Sequence, residues 1–105
     1  MIIQATTPTI SIKVDNVNLN EFEEIVLVLE QSSLGTIQKK KSNGDIVIGD
    51  DESILSCSLS QEETGKFRES EPLKMQLRVK DNSGNVSASN IIRVNIGKSL
   101  SLEVI

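Results

Sequence analysis

Fourteen serines are the most numerous candidate nucleophiles in this sequence. A serine hydroxyl attacks only when a base within hydrogen-bond reach takes its proton. The usual base, histidine, is absent, and with it goes the commonest metal ligand. A lysine three residues after the serine is the obvious substitute, and no serine here has one. Cys57 is the only cysteine, so no intrachain disulfide or cysteine zinc cage can form. It falls on the apolar face of a segment with strand periodicity, where a thiol behaves as a small core residue. Gly97-Lys98-Ser99 has the ending of a phosphate-binding loop. That loop needs a glycine where Ile92 stands and a helix afterwards, so a strand end that turns away is the better reading.

Three charged clusters remain. Asp81-Asn82-Ser83-Gly84-Asn85 gathers oxygen-bearing side chains around a glycine. A calcium loop of the helix–loop–helix kind needs its glycine sixth and a glutamate twelfth; here glycine is fourth and Ile92 is twelfth. A hairpin turn accounts for the composition. Asp50-Asp51-Glu52 is contiguous, and neighbouring side chains on extended backbone point apart, so a solvated loop is expected rather than a chelate. Lys39-Lys40-Lys41 sits beside the Ser42-Asn43-Gly44 turn, where lysines guard an exposed strand edge; a site for phosphate or an acidic partner is the sharper alternative. Fifteen acids leave a carboxylate-pair enzyme conceivable without marking any pair. No catalytic residue, cofactor-binding residue or metal ligand is expected, and the residues point to a binding or structural module, not an enzyme.

The bulk numbers agree. One hundred and five residues suit a single domain, with 98–105 as a short apolar C-terminal tail. Leu, Ile, Val, Phe and Met supply 36 residues, enough for a core. The net charge of −4 gives no basic surplus for nucleic acid, and Phe22 and Phe67 are the only aromatics on which bases or sugars could stack. No apolar run approaches the ~20 residues that span a bilayer. Met1-Ile2-Ile3 is followed by polar residues, so no signal-peptide core is expected, and synthesis in a cytosol with a reduced thiol follows.

The elements that must position any surface are strands. Val and Ile make 22 residues, and Ser and Thr 19. Ile10, Ile12 and Val14 alternate with polar residues over Thr9–Val14; Leu73, Met75, Leu77 and Val79 do so over Leu73–Val79. In Glu24–Leu29 both faces are apolar, because Val26 and Val28 lie between Ile25, Leu27 and Leu29. That predicts a central strand, or a face covered by a partner. Thr36–Lys40, Asp45–Ile48 and Ser53–Leu59 are further strands. Val86–Ile96 is the seventh, with a bulge or twist near 89–91 where Asn90 breaks the phase. Asn82-Ser83-Gly84-Asn85 joins it to Leu73–Asp81 as a hairpin. Ser60 and Glu63 have capping-box spacing, predicting a short helical turn around 61–67 that drops Phe67 onto the core. Asn18–Glu23 is a second helical turn or a loop. Seven short strands predict an all-β, antiparallel, immunoglobulin-like β-sandwich.

Several segments together resemble a small protein family of Gram-positive prophages encoded among tail and baseplate genes. They are Thr6-Thr7-Pro8-Thr9 entering a strand, Leu59-Ser60-Gln61-Glu62-Glu63-Thr64, and the hairpin from Leu73 through Asp81-Asn82-Ser83-Gly84-Asn85 to Ala88-Ser89-Asn90-Ile91-Ile92-Arg93-Val94. The tail after Gly97, ending Val104-Ile105, is the fourth. The layout is also similar to the N-terminal immunoglobulin-like domain of phage baseplate upper proteins. The resemblance implies a virion structural protein, a tail or baseplate adaptor assembled in the bacterial host cytoplasm. Its partners would be other phage tail or baseplate proteins, or a homo-oligomer, with no nucleic acid, membrane or cofactor involved. The expected interaction surface is Val26 and Val28 with the apolar chain ends Ile2, Ile3, Leu100, Leu102, Val104 and Ile105. Those ends could instead pack as strand extensions of the same domain. A carbohydrate-binding or host-adhesion module of a phage is the alternative function.

Overall fold

In the computed structural model, which describes all 105 residues, the alternating segments become strands and pair antiparallel. One sheet has three strands in the order β2 (Thr9–Lys13), β6 (Ile54–Ser58), β5 (Ile46–Ile48). The other runs β4 (Gly35–Lys40), β3 (Glu24–Gln31), β7 (Leu73–Lys80), β8 (Val86–Ala88), with β9 (Ile92–Val94) also on β7. The period of two turns every second residue of β3 inward, so Ile25, Leu27, Leu29 and Gln31 are all buried. Leu73, Met75 and Leu77 face them from β7, directly opposite in register for the last two. Leu55, Cys57 and Leu59 close the core from the other sheet, with Ile46 and Phe67 beside them. The protein is thus mostly β, with two antiparallel sheets sharing one aliphatic core.

The helical turn forms as α1 (Gln61–Gly65). Ser60 Oγ accepts from the Glu63 amide at 3.1 Å, and Glu63 Oε1 accepts from the Ser60 amide at 2.9 Å, so both halves of the capping box are made. Phe67 follows it into the core, 2 % exposed. Asn18–Glu23 resolves into a single 3-10 turn, Leu19–Glu21, capped by the Asn18 side chain. At the predicted hairpin, Gly84 takes φ +87° and the Asp81 carboxylate accepts from the amides of Ser83 and Asn85, both at 2.9 Å.

Two expectations need correction. Val86–Ile96 is not one strand with a bulge. It breaks into β8, β9 and β10 (Ile96–Gly97). At the break the Leu77 amide donates to Ser89 Oγ instead of to a backbone carbonyl, while the Ser89 amide still reaches the Leu77 carbonyl at 2.8 Å. A side chain has taken a ladder position, so β8 and β9 cannot run through. The strand count of seven also becomes ten, through that division and through β1 (Ile2–Ile3), the strand-extension alternative at that chain end. β1 pairs in parallel with β10, Ile2 opposite Ile96 and Ile3 opposite Gly97. Gly97 leaves its side-chain space to the ends of the Ile3 and Met1 side chains, which a Cβ there would displace.

Buried polar side chains tie the loops to this frame. Gln4 Nε2 donates to the Phe67 carbonyl at 2.6 Å, and its Oε1 accepts from the Ser99 amide at 3.2 Å. Thr64 Oγ1 accepts from the Thr6 amide at 3.0 Å and donates to the Thr6 carbonyl at 2.8 Å. Gln31 makes three bonds of 2.8 Å to the backbone of Arg68 and Glu71. Each group is satisfied, as burial demands.

Candidate interaction surface

Cys57, Lys39, Lys41, Asp51 and Glu63 are each committed to local structure. Cys57 is buried on β6, and burial pushes its thiol above the usual value, away from the reactive thiolate. Lys39 Nζ lies 2.7 Å from Glu63 Oε2. Burial works against the Glu63 carboxylate, but the Lys39 ammonium and the Ser60 amide outweigh it and hold the carboxyl below its usual range. Lys41 Nζ donates to the Phe22 carbonyl at 3.2 Å. The basic run therefore lies on and just beyond β4, an edge strand, with two of its three ammonium groups engaged within the domain. Asp51 Oδ1 accepts from the amide and hydroxyl of Ser53, which lowers its carboxyl. The acidic loop is thus an exposed turn whose central carboxylate is already bonded.

What remains distinctive is apolar surface. β3 is a central strand, and its outward Val26 and Val28 are half-buried under neighbours. Val26 stands between Lys40 and Arg78, and Val28 between Gln38 and Gln76. Both valines remain partly exposed, each lining a shallow surface hollow. Ile2 belongs to the core at 7 % exposure and leaves the expected surface; its place is strand pairing with β10. Ile3 is exposed beside it. Leu100, Leu102, Val104 and Ile105 are all exposed, and no backbone–backbone hydrogen bond involves residues 98–105. Only side chains hold this tail: Gln4 at the Ser99 amide, and Gln61 Oε1 at the Ile105 amide, 2.8 Å away.

A further apolar feature had no signal in the sequence. β2 is paired only on its β6 side, and β8 and β9 only on their β7 side. Where these two open edges face each other, the core is not fully roofed. Two adjoining hollows of about 300 Å³ each result, sharing Val14, Leu77 and Ser89. Ile12 and Ile92 flank the cleft from opposite edges, and Leu19 and Phe22 close one end. Along β2, Pro8 and Val14 aim their backbone groups at β6, bonding Leu59 and Ser53. Antiparallel alternation therefore turns the N–H and C=O of Thr9, Ser11 and Lys13 toward the cleft.

Compared with known proteins, the chain matches no family model, and no curated protein matches it in sequence.

Proposed function

We infer that this chain is a non-enzymatic structural protein of a phage or prophage, an adaptor in a tail or baseplate, built as an immunoglobulin-like β-sandwich. The strand order supports the fold. Lettering β1 to β7 as A, B, C, C′, D, E and F, with β8 to β10 as G, makes the sheets B-E-D and C′-C-F-G. That is the division of an immunoglobulin domain, and the β1–β10 pair stands at the seam between strands A and G. In place of the inter-sheet disulfide and tryptophan of antibody domains, aliphatic side chains of β3 and β7 meet Leu55, Cys57 and Ile46 of the other sheet in one core.

The single observation that carries the functional reading is the open apolar cleft bordered by unpaired strand edges. Such an edge recognises protein: main-chain bonds supply affinity and the hollows select alternate side chains. The resemblance to prophage tail-region proteins supplies the biological setting. The virion is the proposed location, and other tail or baseplate proteins are the proposed partners. Affinity-tagged chain incubated with purified tail particles of the phage that encodes it should sediment with them at a fixed stoichiometry. Free chain alone in the supernatant refutes the reading.

A further inference from the structure

We propose that the C-terminal segment Ser99–Ile105 of one copy of this chain inserts as a strand into the cleft between β2 and β8/β9 of a second copy. Two unfinished structures in the same molecule fit each other. The acceptor is a sheet edge with the N–H and C=O groups of Thr9, Ser11 and Lys13 unpaired, above hollows lined by Ile12, Val14, Leu77 and Ile92. The donor is a segment with strict two-residue alternation, Leu100, Leu102 and Val104 against Ser99, Ser101 and Glu103. It has strand patterning without a strand partner, and its apolar side chains are exposed, Leu100 and Ile105 fully.

Dimensions and charge agree. At ~3.3 Å per residue, five-residue β2 is about 17 Å long, and the seven-residue segment spans about 23 Å. Any register that turns Leu102 and Val104 into the hollows puts Glu103 on the outer face, where Lys13 also stands. The domain does not use its own tail in this way. The chain leaves Gly97 beyond the β1–β10 pair, away from the β2 edge. Gln4 and Gln61 lead it instead toward α1. In an immunoglobulin-like arrangement the cleft is the seat of strand A, which here forms only as the two-residue β1. The contact is heterologous, so reciprocal exchange closes a dimer and one-way donation builds a chain of copies. The inference stands on the edge and the tail, and does not depend on the phage assignment.

The test uses the full chain and two substitutions. Leu102→Asp disables the donor at an exposed position. Ser11→Pro removes an outward N–H from the acceptor without touching the β2–β6 ladder; Ile92→Asp, also exposed, serves as the acceptor variant if circular dichroism shows Ser11→Pro misfolded. Sedimentation of wild-type chain should show mass rising with concentration, and each single variant should associate at least ~10-fold more weakly. Mixing the donor variant with the acceptor variant should restore a one-to-one complex, because each keeps the half the other lacks. A single-copy mass at every concentration overturns the proposal. So does association that survives either substitution, or a mixture that stays unassociated. Failure here leaves the tail-particle sedimentation above unaffected, so the two readings fall separately.

Discussion

Gln31→Leu tests whether the buried amide is a structural clamp. Gln31 is 2 % exposed at the end of β3. Its Nε2 donates to the carbonyls of Arg68 and Glu71, and its Oε1 accepts from the Arg68 amide, all at 2.8 Å. Leucine has similar volume, so no cavity opens; the loss is the three hydrogen bonds that join the end of β3 to the 68–71 loop. A net value near 1 kcal/mol per bond gives about 3 kcal/mol. The full desolvation penalty is not added, because the 68–71 loop lies at the surface and can swing out to water. For a domain of this length the melting temperature should fall by about 10–20 °C. Urea denaturation followed by far-ultraviolet circular dichroism gives the free energy, and calorimetry the temperature. Gln31→Glu adds a sign. Its carboxylate faces two carbonyl oxygens, so the folded protein raises its pKa. Relative to wild type, this variant should be most stable at acid pH, where the protonated carboxyl donates as the amide did. It should lose ground as pH rises through the raised value. A shift of under 2 °C for Gln31→Leu, or a pH-independent difference for Gln31→Glu, refutes the clamp.

Three further outcomes follow from the same geometry. The folded carboxyl of Glu63 sits below its ordinary value of 4.5, so the ion pair with Lys39 stabilises above that pH and is lost as pH falls through the folded value. The stability gap between wild type and Glu63→Gln should therefore shrink below about pH 4.5 in acid-titrated urea melts; a constant gap contradicts the pairing. Ellman's reagent should label Cys57 only as fast as the domain opens and immediately in denaturant, because burial both shields the thiol and raises its pKa; rapid labelling of the native chain contradicts its burial. Gly84→Ala should cost about 1 kcal/mol from backbone strain at φ +87°, although open space surrounds the new methyl. Equal urea midpoints for the two chains would disprove the left-handed turn.

The period of two made the long strands legible. Leu73–Lys80 appears where alternation over Leu73–Val79 placed it, burying Leu73, Met75 and Leu77, and the doubly apolar Glu24–Leu29 lies within the central strand Glu24–Gln31. The capping box was legible for the same reason: both of its bonds join residues three apart. The end of the chain was not. Val86, Ala88, Ile92, Val94 and Ile96 share a phase that Asn90 interrupts, yet Val86, Ala88 and Ile92 are exposed and only Ile96 is buried. Periodicity reports which side chains share a face and is silent about which neighbour covers it. The Ser89 bond to Leu77 and the parallel match of Ile2 with Ile96 depend on distant partners, so no local pattern announced them. The cleft lies one level further away. It exists because two edges from different sheets stand face to face, and no residue in it is unusual by itself.

The seam between β1 and β10 also sets the order in which the domain can be finished. Gln4 and Ser99, bonded across that seam, are 95 positions apart. Bringing together ends separated by ~100 residues costs about 4 kcal/mol of chain entropy before any contact compensates it. The hairpins β3–β4 and β7–β8 join near neighbours and can form early. The seam must come late, and on the ribosome it cannot form until Ile96 has emerged. Until then Ile2, Ile96 and the aliphatic core beneath them are open to solvent. The nascent domain therefore passes through a stage in which its β2 edge and its core are uncovered together, and closure of the β1–β10 seam ends it.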